Sequence, residues 1–434
     1  MRRALETTSS RAKREVQRAE VVSWIASRVD EPEALLQGAF RRDNETVFAI
    51  TSYELSTVRG LNGFGGAALL HGIAGAGVCR GGPRSHSFLV SAVNGPLADV
   101  TLSSGWAGMA VVAQVLANGT RAYARVRERI SELLASEIGE FVDRRDLTHS
   151  EQYELLRGYA GLYLSLEGDC GAAASAILVD LFDWLTADRA RWRLPHGHDD
   201  LFPEPLNRLG VSHGIAGILG ALCCRPEVPG AIGVIRHVTN VLLEAGQRTA
   251  FGTQWPYAEQ MPLDYELRSF RAAWCHYTLG IAAVLAAAAR VLEDQSILRV
   301  VEEATVGLLE LDESAWGLFD ASLCHGTSGS AALLRYLAIH TKNASLRRKS
   351  DQLVDRTIDL FNPHLPFGVE VVWPNSRWLS DGSFLMGATG IGVALASLGE
   401  VADLGWLKLL GVPPVPRAEA PTGRDGYSHD TRYA

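Results

Sequence analysis

The chain has 434 residues, of which 47% are hydrophobic and 21% charged, and its formal net charge at pH 7 is −8. This composition is typical of a globular protein, and the acidic balance argues against a general nucleic-acid surface. Six scattered cysteines are too few for a disulfide scaffold, and neither a signal peptide nor a membrane span is evident, so we expect a cytoplasmic protein with reduced thiols.

The first hundred residues show no clear repeat. We predict that residues 1–100 form an N-terminal helical segment that joins the main body of the protein. The glycine-rich region 60–77 breaks the period described below, and we interpret it as either an entry segment or a degenerate repeat. His71 lies in this region, and we expect its role to be structural.

From residue 101 onward a repeated motif organises the chain. Five copies share the pattern Gly-x-x-Gly followed by small and apolar residues, and their first glycines are Gly105, Gly158, Gly214, Gly326 and Gly387. A sixth copy has Tyr277 at that place and keeps only its second glycine, Gly280. The spacing of about 50 to 60 residues is enough for two helices and their loops.

The two helices of a repeat differ in polarity. Residues 280–289, after the sixth motif, carry no charge, and a helix that is apolar all round is buried. Residues 295–311 instead carry apolar residues at helical spacing on one face, which is typical of a helix that covers a core. The alternation predicts an all-α fold, an α/α toroid (double-layered helical barrel) over residues 101–411, with the motifs gathered at one end.

Segments that contain Trp and Pro precede three motifs, at residues 192–195, 255–256 and 373–374. Together with the β-type run 369–373, they predict loops or short β-hairpins over the motif-bearing end, where loops commonly carry a functional site. Residues 412–434 begin with Val-Pro-Pro and predict a disordered tail.

Three motifs carry unusual residues directly before the inner helix, namely His213, Cys275 and the pair Cys324-His325. Zinc binds thiolate and imidazole, and three protein ligands leave a fourth position open for catalysis. Cys275, Cys324 and His325 therefore form a candidate Cys₂His site for Zn²⁺. The positive potential of helix N-termini also favours thiolates there.

These residues resemble the motifs of the lanthipeptide cyclases, the LanC-like family, over about residues 100–400. The matching stretches are Ser212-His213-Gly214, Trp274-Cys275 with Gly280, and Cys324-His325-Gly326. The resemblance implies an α/α toroid and a zinc enzyme that acts on a dehydrated, ribosomally made precursor peptide. A cysteine of the substrate would be the fourth zinc ligand and would add to dehydroalanine or dehydrobutyrine, giving a thioether ring.

The resemblance also implies roles for individual residues. Cys275, Cys324 and His325 would hold the zinc ion, and His213 would donate the proton that the enolate takes up after addition. Arg271, four residues before Cys275, would stabilise the oxyanion or hold His213. The chain has no kinase or lyase motif, so a separate dehydratase is expected as a partner.

Two positions depart from the family pattern. Glu154 stands where the family usually has Asp, and it would either handle protons or be a solvated carboxylate at a helix end. His276 replaces the Tyr of the family's Trp-Cys-Tyr-Gly, and it could act as a second acid, contact the zinc or fill space.

Other functions remain open at this stage. A divergent LanC-like scaffold could bind zinc and peptide without turnover, and the departures at Glu154 and after Cys275 keep that alternative. A protein prenyltransferase-like enzyme would also use a zinc-activated thiol, but an aromatic content of 8% and the Cys-His-Gly stretch argue against it. No pair of carboxylates falls on the motif-bearing end, as a glycosidase would require.

Overall fold

The computed structural model describes residues 2–32, 41–42, 58–75, 82–97, 99–143, 152–166, 171–187, 206–261, 263, 272–372, 378–399 and 402–415. Most of the described residues are helical, as the sequence predicts. In chain order, helices α1 to α14 are Arg2–Arg28, Gly66–Ala74, Pro83–Val93, Trp106–Ala117, Ala124–Asp143, Tyr159–Ser165, Gly171–Thr186, Ile215–Cys224, Ala231–Ala245, Tyr277–Val291, Gln295–Glu310, Thr327–Thr341, Ala344–Asp359 and Ala388–Ser397. Within these residues no helix is both long and apolar enough to cross a membrane.

The even-numbered helices form an inner layer with a cyclic order of contacts. Each of them contacts the next even-numbered helix along the chain, and α14 contacts α2. Most of their residues are small or apolar, and α10 is buried at every residue from Thr278 to Ala289. The region 60–77 therefore contributes α2 to the inner layer, which identifies it as a degenerate repeat.

The odd-numbered helices cover this layer from outside. Each inner helix from α2 to α12 contacts the helix that follows it, and α1 contacts α14. In α11 the buried residues Ile297, Val301 and Leu308 follow helical spacing, so one face packs inward and the other meets solvent. The division of residues 1–100 and 101–411 into two segments stays a prediction.

The strands are short. They are β1 (Arg41–Arg42), β2 (Gln247–Thr249), β3 (Gly252–Gln254), β4 (Val371–Val372) and β5 (Trp378–Asp381). β2 pairs with β3 in a hairpin that precedes Trp255, and β5 lies between β1 and β4 in an antiparallel sheet. Hairpins thus occur before two of the three motifs where they were predicted, whereas residues 192–195 and 373–374 lie outside the described residues.

The turns that carry the motifs are joined to one another by backbone hydrogen bonds. Each bond links a turn to the next one along the chain or, at the last turn, back to the start of the ring. In each pair the amide of the first residue donates to the carbonyl oxygen of the second. The pairs are Ser103 and Leu156 (3.0 Å), Val211 and Cys275 (2.9 Å), Cys275 and Cys324 (3.2 Å), Cys324 and Leu385 (3.0 Å), and Phe384 and Asn62 (2.9 Å). These bonds bring the N-terminal ends of the inner helices to one end of the molecule.

The first glycine of each motif is required by crowding in these turns. A Cβ atom on Gly105 or Gly214 would overlap the carbonyl oxygen of the residue six positions earlier. The backbone of these glycines is extended, which any residue can adopt, so the crowding and not the backbone angles requires glycine. Tyr277, at the corresponding place, instead has a φ of +66°, in the left-handed region that is costly for a residue with a Cβ atom.

This conformation predicts an unusual order of stability for substitutions at Tyr277. Both Tyr277→Gly and Tyr277→Ala remove the ring, but only glycine removes the left-handed penalty of about 1–2 kcal/mol. We expect the glycine variant to be the more stable of the two in chemical denaturation. Ala231→Gly, at the first residue of α9, is the control and should destabilise. Equal stability of the two Tyr277 variants would contradict the assignment of strain.

A buried C-terminal segment packs against two helices of the inner layer. The 3₁₀ helix Gly405–Leu410 contacts α4 and α8, and Trp406, Leu407, Leu409 and Leu410 are fully buried. We call residues 405–412 the plug. Its Lys408 Nζ donates to Gln114 Oε1 at 2.6 Å, and its Leu410 carbonyl accepts from Trp274 Nε1 at 2.8 Å. Val412, where the tail was predicted to begin, is buried, and residues 416–434 lie outside the described residues.

The position of the plug predicts that alanine substitutions at two helix glycines have opposite effects on stability. A methyl group on Gly220 of α8 would overlap the carbonyl oxygen of Gly411, whereas one on Gly233 of α9 would meet open space. We expect Gly220→Ala to lower the free energy of unfolding by about 1–3 kcal/mol through overpacking. Gly233→Ala should raise it by about 0.5–1 kcal/mol. Denaturant titration of both variants checks the pair, and a tolerated Gly220→Ala would refute the described packing.

Candidate metal centre and active site

Three soft ligand atoms converge at the motif-bearing end. Cys275 lies two residues before α10, and Cys324 and His325 lie just before α12. The thiol sulfurs of Cys275 and Cys324 and a ring nitrogen of His325 all lie within 4.8 Å of one another. The hydrogen bond from the Cys275 amide to the Cys324 carbonyl holds the two turns together, so the geometry is fixed by backbone.

This group fits a zinc ion in its chemistry and its spacing. Tetrahedral zinc with Zn–S bonds of about 2.3 Å needs ligand atoms roughly 4 Å apart. The hydrogen bond between the two thiols, together with burial, raises the pKa of Cys324 well above that of a free thiol. Because the Cys324 thiol is costly to ionise in this environment, a bound cation is what would make it a thiolate.

His325 is held by a carboxylate that sequence reasoning missed. Its Nε2 lies 3.6 Å from Oδ2 of Asp320 and 3.4 Å from the carbonyl oxygen of Val372. Burial opposes charge on His325, but hydrogen bonds to Asp320 and Cys324 outweigh it and raise the pKa to about 10. Asp320 begins a pattern that recurs in the repeats, Asp-x-Ser/Thr six residues before the first glycine, and that pattern could have identified it.

His213 lies beside Glu154 near this group. Its Nδ1 is 3.3 Å from Oε2 of Glu154, and 29% of the His213 side chain is exposed against 2% for Glu154. Within the described residues, Nδ1 of His213 has no hydrogen-bond partner. Glu154 accepts hydrogen bonds from the amides of Leu156 (2.8 Å) and Arg157 (2.6 Å). The alternative of a solvated carboxylate is therefore wrong, and Glu154 is a fixed, buried group.

The chain was compared with known proteins. The family model described as lanthionine synthetase C-like protein matches residues 85–410. The chain belongs to this family. Among solved structures it is similar to one titled nisin cyclase, with a TM-score of 0.64 and 15% sequence identity over 82% of this chain and 92% of that chain. None of the curated proteins matches the sequence. The resemblance drawn from the three motifs is thus confirmed.

This lanthionine synthetase C-like protein departs from the family motif at His276. The His276 ring packs on Tyr257, with 4.6 Å between centroids, and lies 6.3 Å from the ring of His213. Burial, with smaller contributions from the charges of His213 and Arg208, lowers its pKa well below the usual value. His276 is not part of the described group of metal ligands, and a low pKa suits a neutral, space-filling ring better than an acid.

One residue expected in the site is not among those described. Arg271 lies outside the described residues, so its predicted role stays a prediction. His71, in contrast, is described, and its Nε2 lies 2.8 Å from the carbonyl oxygen of Val29 at α1. That contact joins α2 to the residue that follows α1, which agrees with the structural role expected for His71.

Proposed function

We propose that this lanthionine synthetase C-like protein is a zinc-dependent lanthipeptide cyclase. The observation that carries the proposal is the convergence of Cys275, Cys324 and His325 within 4.8 Å. We also propose that the helices form a closed α/α toroid, which the cyclic contacts of the inner helices support. The substrate would be a precursor peptide whose Ser and Thr residues have been dehydrated by a separate enzyme.

The donor set suits the activation of a thiol. A zinc ion held by Cys275, Cys324 and His325 would lower the pKa of a bound thiol and so supply a nucleophile at neutral pH. The backbone hydrogen bond between the turns of Cys275 and Cys324 would keep the zinc ligands in place while peptide substrates bind, react and leave. Because the ligands lie at the N-termini of α10 and α12, the helix dipoles add positive potential where negative charge develops.

The remaining steps are assigned to residues beside the ligands. Addition of the thiol forms a C–S bond and leaves an enolate, and the α-carbon must then take up the proton that balances the one lost by sulfur. His213 would donate that proton, since its ring is partly exposed. Glu154, fixed by two amide hydrogen bonds, would orient His213. Arg271 is proposed to stabilise the enolate oxygen.

The decisive test uses a synthetic peptide that contains one dehydroalanine and one cysteine. Ring formation does not change the mass of the peptide, so the free thiol is measured by alkylation and mass spectrometry. We expect the zinc-loaded protein to remove the thiol and the protein treated with chelator to leave it. Zinc binding without loss of thiol would identify a scaffold instead, and labelling that needs a prenyl diphosphate would identify a prenyltransferase.

A further inference from the structure

Asp320 shares a turn with corresponding residues of two other repeats. Asp99, Asp320 and Asp381 each lie six residues before the first glycine of a motif and accept a hydrogen bond from the amide two residues later. The distances to the amides of Thr101, Ser322 and Ser383 are 2.8, 2.9 and 2.6 Å. One carboxylate oxygen of each thus closes the turn that leads into an inner helix, which is a structural role common to the three.

The second oxygen of Asp320 has a different partner. Oδ2 accepts a hydrogen bond from the amide of Val372 at 2.8 Å and lies 3.6 Å from His325 Nε2. In the first repeat the second oxygen of Asp99 instead accepts from the hydroxyl of Ser104 at 3.0 Å. The side chain of Asp320 is fully buried, so no solvent competes for these contacts. In the repeat that carries Cys324-His325, this turn therefore reaches a histidine that is a candidate metal ligand.

Histidine binds a metal through one ring nitrogen, and the partner of the other nitrogen decides which one that is. Both acceptors near His325, Asp320 Oδ2 and the Val372 carbonyl, face Nε2. They favour the tautomer with its proton on Nε2 and hold the ring in place against β4. Metal-ligating histidines commonly have such a carboxylate, and losing it costs about 10–100-fold in metal affinity.

We infer that Asp320 is a positioning residue, which fixes the tautomer and orientation of His325 so that Nδ1 binds the zinc ion. The inference rests on the zinc site of the proposed function and adds a residue to it. Oδ2 of Asp320 contacts both the Val372 amide of β4 and the His325 ring. Asp320 therefore joins the hairpin β4–β5 to the candidate metal ligand His325.

The test compares zinc affinities of the full chain by competition with a chromophoric chelator. Asp320→Asn keeps an oxygen for the Ser322 amide but presents an amide nitrogen to His325 and Val372. We expect zinc affinity to fall about 10–100-fold. With cobalt in place of zinc, the thiolate-to-cobalt charge-transfer band should shift. Asp99→Asn, the same change in a turn that has no metal ligand, should leave both measurements at the parent values.

A second variant separates positioning from folding. If Asp320 acts through His325, then Asp320→Asn should not weaken zinc binding further in a His325→Ala background. If Asp320→Asn lowers zinc affinity by the same factor in both backgrounds, Asp320 acts through the fold of the turn or the hairpin and not through His325. That result would overturn the inference. Unchanged affinity in the single variant would overturn it too, leaving the proposed function intact. A parent protein that binds no zinc would refute both.

Discussion

Replacing Cys324 by alanine should reduce bound zinc to well below one equivalent per chain and abolish ring formation. The thiol of Cys324 is one of three ligand atoms within 4.8 Å, and its removal leaves two protein ligands where a catalytic zinc site uses three. Elemental analysis of the purified protein measures the metal, and alkylation of the peptide thiol measures the reaction. Both should fail together, because the metal is what would ionise the substrate thiol.

The matched control for this experiment is Cys223→Ala. Cys223 is a buried free cysteine on an inner helix, but it is in the last turn of α8, away from the motif-bearing end. Burial raises the pKa of the Cys223 thiol well above its usual value, as expected for a small apolar core residue. This variant should bind a full equivalent of zinc. Full zinc in Cys324→Ala would show that the ligands are assigned wrongly.

Replacing His213 by alanine should separate metal binding from proton transfer. His213 is not among the described metal ligands, so zinc should stay at the parent level. Loss of a positioned general acid typically slows a reaction by about 10²–10⁴-fold, and we expect a decrease of that size in the rate of thiol loss. Any ring that does form would be protonated by water, so it should contain both configurations at the α-carbon.

The histidine control is His86→Ala, on the outer helix α3, where the side chain is exposed. It should change neither zinc nor rate. Chiral analysis of the hydrolysed ring amino acids then distinguishes two outcomes. A slow His213→Ala reaction with a single configuration would assign the proton to another donor, and a parent-like rate would remove His213 from the mechanism.

The fold could be predicted from the sequence where the repeats share the same residue types at the same positions. Gly105 and Gly214 are glycines because a Cβ atom would overlap backbone, and the helices after them are apolar because they pack on both sides. The candidate metal ligands were found for the same reason, since their common place in the repeat implies a common end of the fold. Their shared position within the repeat is therefore enough to predict that Cys275 and His325 lie close together.

What the sequence did not reveal depends on contacts between distant segments. The plug is a short, irregular stretch, and nothing local shows that Leu410 lies against Trp274. The part played by Asp320 depends on β4, which is two residues long and therefore has little signal of its own. The sequence left open whether Glu154 handles protons or is a solvated carboxylate, because Glu is seldom buried, and the two amides from which it accepts hydrogen bonds explain its burial.

The contact of α2 with α14 has a consequence for how the protein is made. These two helices are neighbours in space, but they come from nearly opposite ends of the chain. During translation the early helices leave the ribosome with one apolar flank uncovered, and it stays so until the last repeat and the plug have been synthesised. Such a nascent chain exposes hydrophobic surface for a long time, and we expect its yield in cells to depend on chaperones.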